Sequence, residues 1–138
     1  MFHLLSHTEG DGGASLLVDG FRAAAILKEQ SPEAYNLLRS TPVPTHSSGN
    51  EGISIQPSTP RPVLNEHPVT GELYQVRWNN DDRATMGHWS TLDDIDRWYR
   101  AARTWSRILR SETSEYWEQL KPGRPLSTTS VINARGEC

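Results

Sequence analysis

Apolar residues in this chain fall into short runs with strand-like alternation and longer runs with helical spacing. Ser15-Leu16-Leu17-Val18 is released by Gly12-Gly13 and broken by Asp19-Gly20, which reads as a strand with a small hydroxyl at its head. Phe21, Ala24, Ala25 and Leu27 predict a helix over 21–29, capped by Asp19 or Gly20. Ser31-Pro32 restarts a helix, with Ser31 as cap and Pro32 in its first turn. Tyr35, Leu37 and Leu38 give that helix a buried face, and Thr41-Pro42 ends it.

Residues 41–62 are rich in Pro, Ser and Thr, yet Ile53-Ser54-Ile55-Gln56 alternates as a half-buried strand does, with Ser48-Gly49-Asn50 as a turn. After a turn at Val69–Gly71, Glu72–Trp78 predicts a strand with Tyr74, Val76 and Trp78 on its apolar face. Thr91 to Arg110 is the clearest helix: Thr91 caps it, Asp93 and Asp94 complement its dipole, and arginines gather toward its end. Leu92, Ile95, Trp98, Tyr99, Ala102, Trp105, Ile108 and Leu109 form its buried stripe, leaving Arg97, Arg100, Arg103 and Arg107 as the solvated face. Ser114–Leu120 predicts a strand, Lys121-Pro122-Gly123-Arg124 a type II turn, and Pro125-Leu126 the start of another strand. Val131–Cys138 has no clear period. Met1–Leu5 is a short apolar run, and Ser6–Gly13 a loop.

Composition limits the core. At 138 residues the chain is one ordinary domain or a piece of a larger one, and its apolar share of 35% is low. Five tryptophans compensate, each able to bury ~150–250 Å². A net charge of −3, with bases interleaved among acids, gives no footprint for nucleic acid. No run is long enough for a membrane span, and no signal-peptide or other targeting pattern follows Met1. The lone Cys138 excludes an internal disulfide, so an intracellular location is expected, cytoplasmic or mitochondrial.

Candidate chemistry is sparse. His7-Thr8-Glu9 has the His-x-acid spacing of an iron-binding strand, weighed against an ordinary loop histidine beside a loop glutamate. His3, His46, His67 and His88 lack ligand spacing, and each reads as a surface or satisfied histidine. Asn79-Asn80-Asp81-Asp82-Arg83 sits at a strand end, where a binding cluster and a solvated turn are both open.

Four motifs occur in order: Gly12-Gly13-x-Ser15-Leu16-Leu17-Val18-Asp19-Gly20-Phe21, Val76–Ala84, Arg97-Trp98-Tyr99 and Leu120–Arg124. Together they resemble the trimethyllysine dioxygenases of carnitine biosynthesis, with γ-butyrobetaine dioxygenases as relatives, among the taurine-dioxygenase-like Fe(II)/2-oxoglutarate oxygenases. The resemblance implies a mainly β fold with helices (α+β): an incomplete double-stranded β-helix, or jelly roll. Residues 1–126 would form a partial oxygenase domain and 127–138 a divergent tail. Fe(II) and ascorbate, with 2-oxoglutarate as co-substrate, are the implied cofactors, and trimethyllysine or γ-butyrobetaine the substrate. No nucleic acid or membrane partner is implied; a homodimer is.

Carried over residue by residue, Ser15 matches a hydroxyl that hydrogen-bonds the 2-oxoglutarate carboxylate, and a small strand-start residue is the plain alternative. Asn79, Asn80 and Arg83 match a family motif that serves either substrate or structure. The family's His-x-Asp pair lies before the position of Met1, which argues against His7-Thr8-Glu9 as its substitute. Its distal histidine is expected where Ser127–Arg135 has none, and its anion-clamping arginine past Cys138. The expectation is an internal fragment with no catalytic or metal-binding residue of its own, inactive alone. A non-catalytic partner of an intact subunit is the rival.

Overall fold

A computed structural model describes residues 3–6, 13–48, 51–87, 89–127 and 131–133. His7-Thr8-Glu9, Gly49, Asn50 and His88 lie outside them, and with them the iron-like loop and most of the 48–50 turn.

Strand β1 (Ser15–Val18) runs into helix α1 (Gly20–Gln30) through Asp19, whose Oδ1 accepts from the N–H groups of Phe21 and Arg22, both at 3.0 Å. This satisfies two of the donors that a helix start leaves open. Helix α2 (Pro32–Ser40) follows after one residue. Ser31 does not cap it with its side chain as expected. Its backbone is shared between the helices: its N–H closes α1 on Leu27 O at 2.8 Å, and its carbonyl accepts from Tyr35 N at 3.0 Å.

Helix α3 (Leu92–Leu109) carries the capping box: Thr91 Oγ1 accepts from Asp94 N, and Asp94 Oδ2 accepts from Thr91 N. Its inner face buries Trp98, Trp105, Ile108 and Leu109 against α1 and α2, where Leu27 and Leu38 are fully buried. Three members of the anticipated stripe, Leu92, Ile95 and Tyr99, lie outside this core, Ile95 being half-buried. Leu92, at the helix start, is 84% exposed, and Tyr99 lies at the stripe's border, while Ala101 is buried. The arginine face is exposed, and Arg97 reaches Glu33 of α2 at 2.8 Å.

Three small sheets accompany the helices. Strands β2 (Ser47–Ser48) and β3 (Ser54–Ile55) pair antiparallel, as do β1 and β6 (Glu115–Glu118). The third sheet has the order β4-β5-β7, from Leu64–Glu66, Leu73–Asn79 and Val131–Asn133, with β7 parallel to β5. Among the described residues the content is therefore mixed rather than mainly β, with helices of 11, 9 and 18 residues and no strand longer than seven.

The Ile53–Gln56 strand shrinks to two residues and is not half-buried: Ile55 is 62% exposed, and among the described residues its strand pairs with another of two residues. On β5, Val76 and Trp78 face the core, while Tyr74 near its start is 51% exposed. The turn at 121–124 forms, with Arg124 N on Lys121 O at 3.2 Å and Gly123 at φ 77°. At Pro125-Leu126 the expected strand is reduced to an isolated bridge at Leu126, and β7 begins at Val131, inside the segment without a clear period.

A bulge between Asn65 and Glu66 marks the β4–β5 pairing, and Glu66 meets α2. There it accepts from Tyr35 Oη at 2.7 Å and from Arg39 Nη1 at 3.1 Å. Burial first, then the bond to Glu66 and its negative charge, push the Tyr35 phenol up from 10.0 to about 12. The folded state thus holds this proton more tightly than the unfolded chain does. Its contribution is complete below pH 10 and is lost between pH 10 and about 12.

Two expectations follow. Urea melts of Tyr35→Phe should show a shallower loss of stability across pH 10–12 than the parent. Trp105→Ala should cost about 3–5 kcal/mol, whereas Leu92→Ala should stay within about 0.5 kcal/mol, because only the first opens the core.

Candidate functional site

Strand β5 alternates between the core and a cavity. Val76 and Trp78 are buried, while Gln75, Arg77 and Asn79 are half-buried and line a cavity of about 410 Å³. The opposite wall comes from the irregular segment 43–63, including Thr45, His46, Ser47, Ile55 and Arg61. The volume falls within the ~300–1,000 Å³ usual for small-molecule sites.

The strand ends in a turn built from its own side chains. Asn79 Oδ1 accepts from Asp81 N at 3.2 Å, the Asx-turn geometry, and Asn79 Nδ2 donates to Asp82 Oδ2 at 2.6 Å. The turn then docks on residues 44–46: His46 N donates to Asp82 O at 2.8 Å, Ala84 N to Pro44 O at 3.0 Å, and Thr45 and Arg83 form an isolated bridge.

Arg83 fixes the far side. Its Nη1 donates to Tyr99 Oη at 2.9 Å and its Nη2 to Asn80 Oδ1 at 3.3 Å. Its guanidinium carbon lies 5.2 Å from the Trp98 ring centroid and 5.1 Å from that of Tyr99. These two rings meet edge to face at 5.2 Å, so the strand-end cation sits against an aromatic corner of α3.

Of the sequence-derived candidates, Asn79 and Arg83 line the cavity, and Asn80 reaches it only through Arg83. Ser15 stands apart on β1, half-buried and paired with Glu118. Asn79, Asn80 and Arg83 spend side-chain bonds on the turn itself. The cavity also gathers His46, Arg61 and Arg77, which sequence reading did not single out. Period-two alternation placed Arg77 on the polar face of its strand; nothing periodic marks His46 or Arg61.

His46 is not a satisfied histidine: its Nδ1 is buried without a hydrogen-bond partner among the described residues, as is Arg83 Nε. His67 is satisfied, its Nδ1 accepting from Val69 N and Thr70 N, and His3 is exposed. Among the described residues, no group of three or more His, Cys, Asp or Glu side chains is placed to hold a metal ion.

Residues 1–125 match the family model described as Taurine catabolism dioxygenase TauD, TfdA family. The chain belongs to this TauD, TfdA family. A trimethyllysine dioxygenase of Neurospora crassa is 55% identical over 115 residues, covering 83% of this chain and 24% of the relative. A mitochondrial trimethyllysine dioxygenase of Bos taurus is 42% identical over 132 residues, covering 91% and 30%. A human γ-butyrobetaine dioxygenase is more distant, 24% identical over 123 residues, covering 89% and 31%. The TauD-family chain thus spans about a quarter to a third of the length of these curated relatives. No helix among its described residues is long and apolar enough to cross a membrane.

Arg83→Ala removes a half-buried cation–π contact and two hydrogen bonds, and should destabilise the TauD-family domain by about 1–3 kcal/mol in urea melts. Arg83→Lys keeps the charge but loses the planar fork, and should recover less than half of that.

Proposed function

We propose that this chain supplies one part of an Fe(II)- and 2-oxoglutarate-dependent dioxygenase that hydroxylates Nε-trimethyllysine in carnitine biosynthesis. The observation that carries the reading is the gap in identity. The chain is 42–55% identical to the fungal and bovine proteins named trimethyllysine dioxygenase, and 24% identical to the human one named γ-butyrobetaine dioxygenase. γ-Butyrobetaine is therefore the second-ranked substrate. In this reading iron supplies the oxidising chemistry, 2-oxoglutarate is consumed as co-substrate and ascorbate keeps the metal reduced. The name of the bovine relative favours the mitochondrial side of the expected location.

The described residues do not fit the metal. His46 and Asp82 are the cavity's only side chains of the metal-binding types, and Asp82 already accepts from Asn79. What the chain offers is binding and positioning. Ser15, at the head of β1, is assigned the hydrogen bond to a 2-oxoglutarate carboxylate. Because Glu118 is its cross-strand partner, that end needs a basic group from beyond the described residues to offset the acid. Asn79, Asn80 and Arg83 are assigned to holding the cavity wall rather than to touching substrate. The jelly roll of the sequence reading is retained, since two- and three-stranded sheets leave edges that a larger barrel would pair.

Two measurements test this. The purified chain, given Fe(II), ascorbate, 2-oxoglutarate and trimethyllysine, should release no succinate above a protein-free blank; release would contradict the assignment of binding roles alone. Exchanging the matching 115 residues of the Neurospora crassa relative for those of this chain should preserve trimethyllysine hydroxylation. A folded chimera that prefers γ-butyrobetaine would overturn the substrate assignment.

A further inference from the structure

A hydroxyl residue followed by proline is the acceptor of proline-directed protein kinases, which take it from exposed, irregular backbone. The chain has three such pairs: Ser31-Pro32, Thr41-Pro42 and Thr59-Pro60. The fold withholds two of them. Ser31 is half-buried between α1 and α2, its N–H on Leu27 O and its carbonyl on Tyr35 N. Thr41 is half-buried at the end of α2, its N–H on Leu37 O at 3.0 Å. Thr59 differs on each count. It lies in a bend, exposed together with Pro57, Ser58 and Pro60, and it forms no hydrogen bond among the described residues. Pro60 also disfavours helical backbone at Thr59. Prolines two before and one after the acceptor are the spacing that mitogen-activated kinases select, and Pro57 and Pro60 supply it. At the earlier of those positions Ser31 has Glu29, and Thr41 has Arg39.

The surroundings of Thr59 suit a phosphate. Alternate residues of the run 55–63 line the cavity, namely Ile55, Pro57, Thr59, Arg61 and Val63, and the residues between them do not. Side chains two apart on an extended chain share a face, so Thr59 and Arg61 stand side by side. Arg77 N donates to Val63 O at 2.8 Å, which puts Arg77 one step beyond Arg61 on the neighbouring strand. Among the described residues neither guanidinium forms an ion pair. Arg77 is half-buried, where a permanent charge gains most from an anionic partner.

We propose that Thr59 is a phosphorylation site whose phosphate seats on Arg61 and closes the mouth of the β5 cavity. The kinase transfers the γ-phosphoryl group of ATP. The bond from Thr59 Oγ1 to phosphorus forms, the bond from that phosphorus to the β,γ-bridging oxygen breaks, ADP leaves, and the hydroxyl proton passes to the base of the kinase. The product carries a charge of about −2 and three acceptor oxygens, matched to the planar fork of an arginine. With Arg77 behind it, the phosphate offsets much of the basic character of the wall. Neither the acceptor nor its seat depends on which substrate the parent enzyme takes.

Incubated with ATP and a mitogen-activated kinase, the 138-residue chain should take up phosphate at Thr59, located by peptide mapping, with Ser31 and Thr41 unmodified. Thr59→Val should abolish the uptake. In phosphorus NMR the second ionisation of the phosphothreonine should fall about one pH unit below its usual value of about 6, because a neighbouring guanidinium favours the dianion. Arg61→Gln, at an exposed position, should restore the usual value, and Arg77→Gln should restore part of it.

Uptake at Ser31 or Thr41 as fast as at Thr59, or no uptake at Thr59, would overturn the site. An ionisation that keeps its usual value in the parent chain and ignores Arg61→Gln would overturn the seating on arginine.

Discussion

The contact on which the site depends is the Arg83 guanidinium against the Trp98–Tyr99 corner of α3. Trp98 is held from below by the core and Tyr99 stands at the border of the same helix, so together they offer a fixed π surface. A cation that leaves water for such a surface recovers part of its desolvation from the rings and part from Tyr99 Oη. The interaction pins the residue that closes the Asn79–Arg83 turn. That turn in turn holds residues 44–46 through two backbone hydrogen bonds, which together make the Thr45–Arg83 bridge, and the cavity lies between them. Helix, turn and irregular segment form one chain of dependence, with a helix cap at one end and a binding surface at the other.

Much of this was legible from local signals. Thr91 with Asp94, Asp19 before Gly20, and the Pro-Gly turn at 122–123 announce themselves because capping and turn chemistry are properties of a few adjacent residues. The apolar alternation of Glu72–Trp78 located β5 for the same reason. Strands β4 and β7 escaped: each has three residues, too few for a period, and each exists because β5 offers backbone partners. At Asn79–Arg83 the turn half of the open choice is formed by hydrogen bonds of the Asn79 side chain, and Asn79, Asp82 and Arg83 also border the cavity. His46 and Arg61 became visible only when the Pro-, Ser- and Thr-rich segment, expected to form short strands and turns, folded over the polar face of β5.

Family membership and site geometry make different contributions here. Membership in the TauD, TfdA family rests on nearly the whole chain. The cavity rests on the strand-end motif, whose three candidate residues act first as architecture. Ser15 and the cavity stand on separate sheets, so the chain presents two polar ends rather than one assembled centre.

The claim that Arg83 and the α3 aromatics form one coupled unit is open to a direct measurement. A double-mutant cycle of Arg83→Met and Tyr99→Leu, followed by urea unfolding, isolates their mutual term from the cost of each truncation. The account predicts a coupling of about 1–2 kcal/mol, as for a half-buried cation–π pair with a shared hydrogen bond. Additive effects, with coupling below about 0.3 kcal/mol, would mean that the turn and the cavity wall are held by something else.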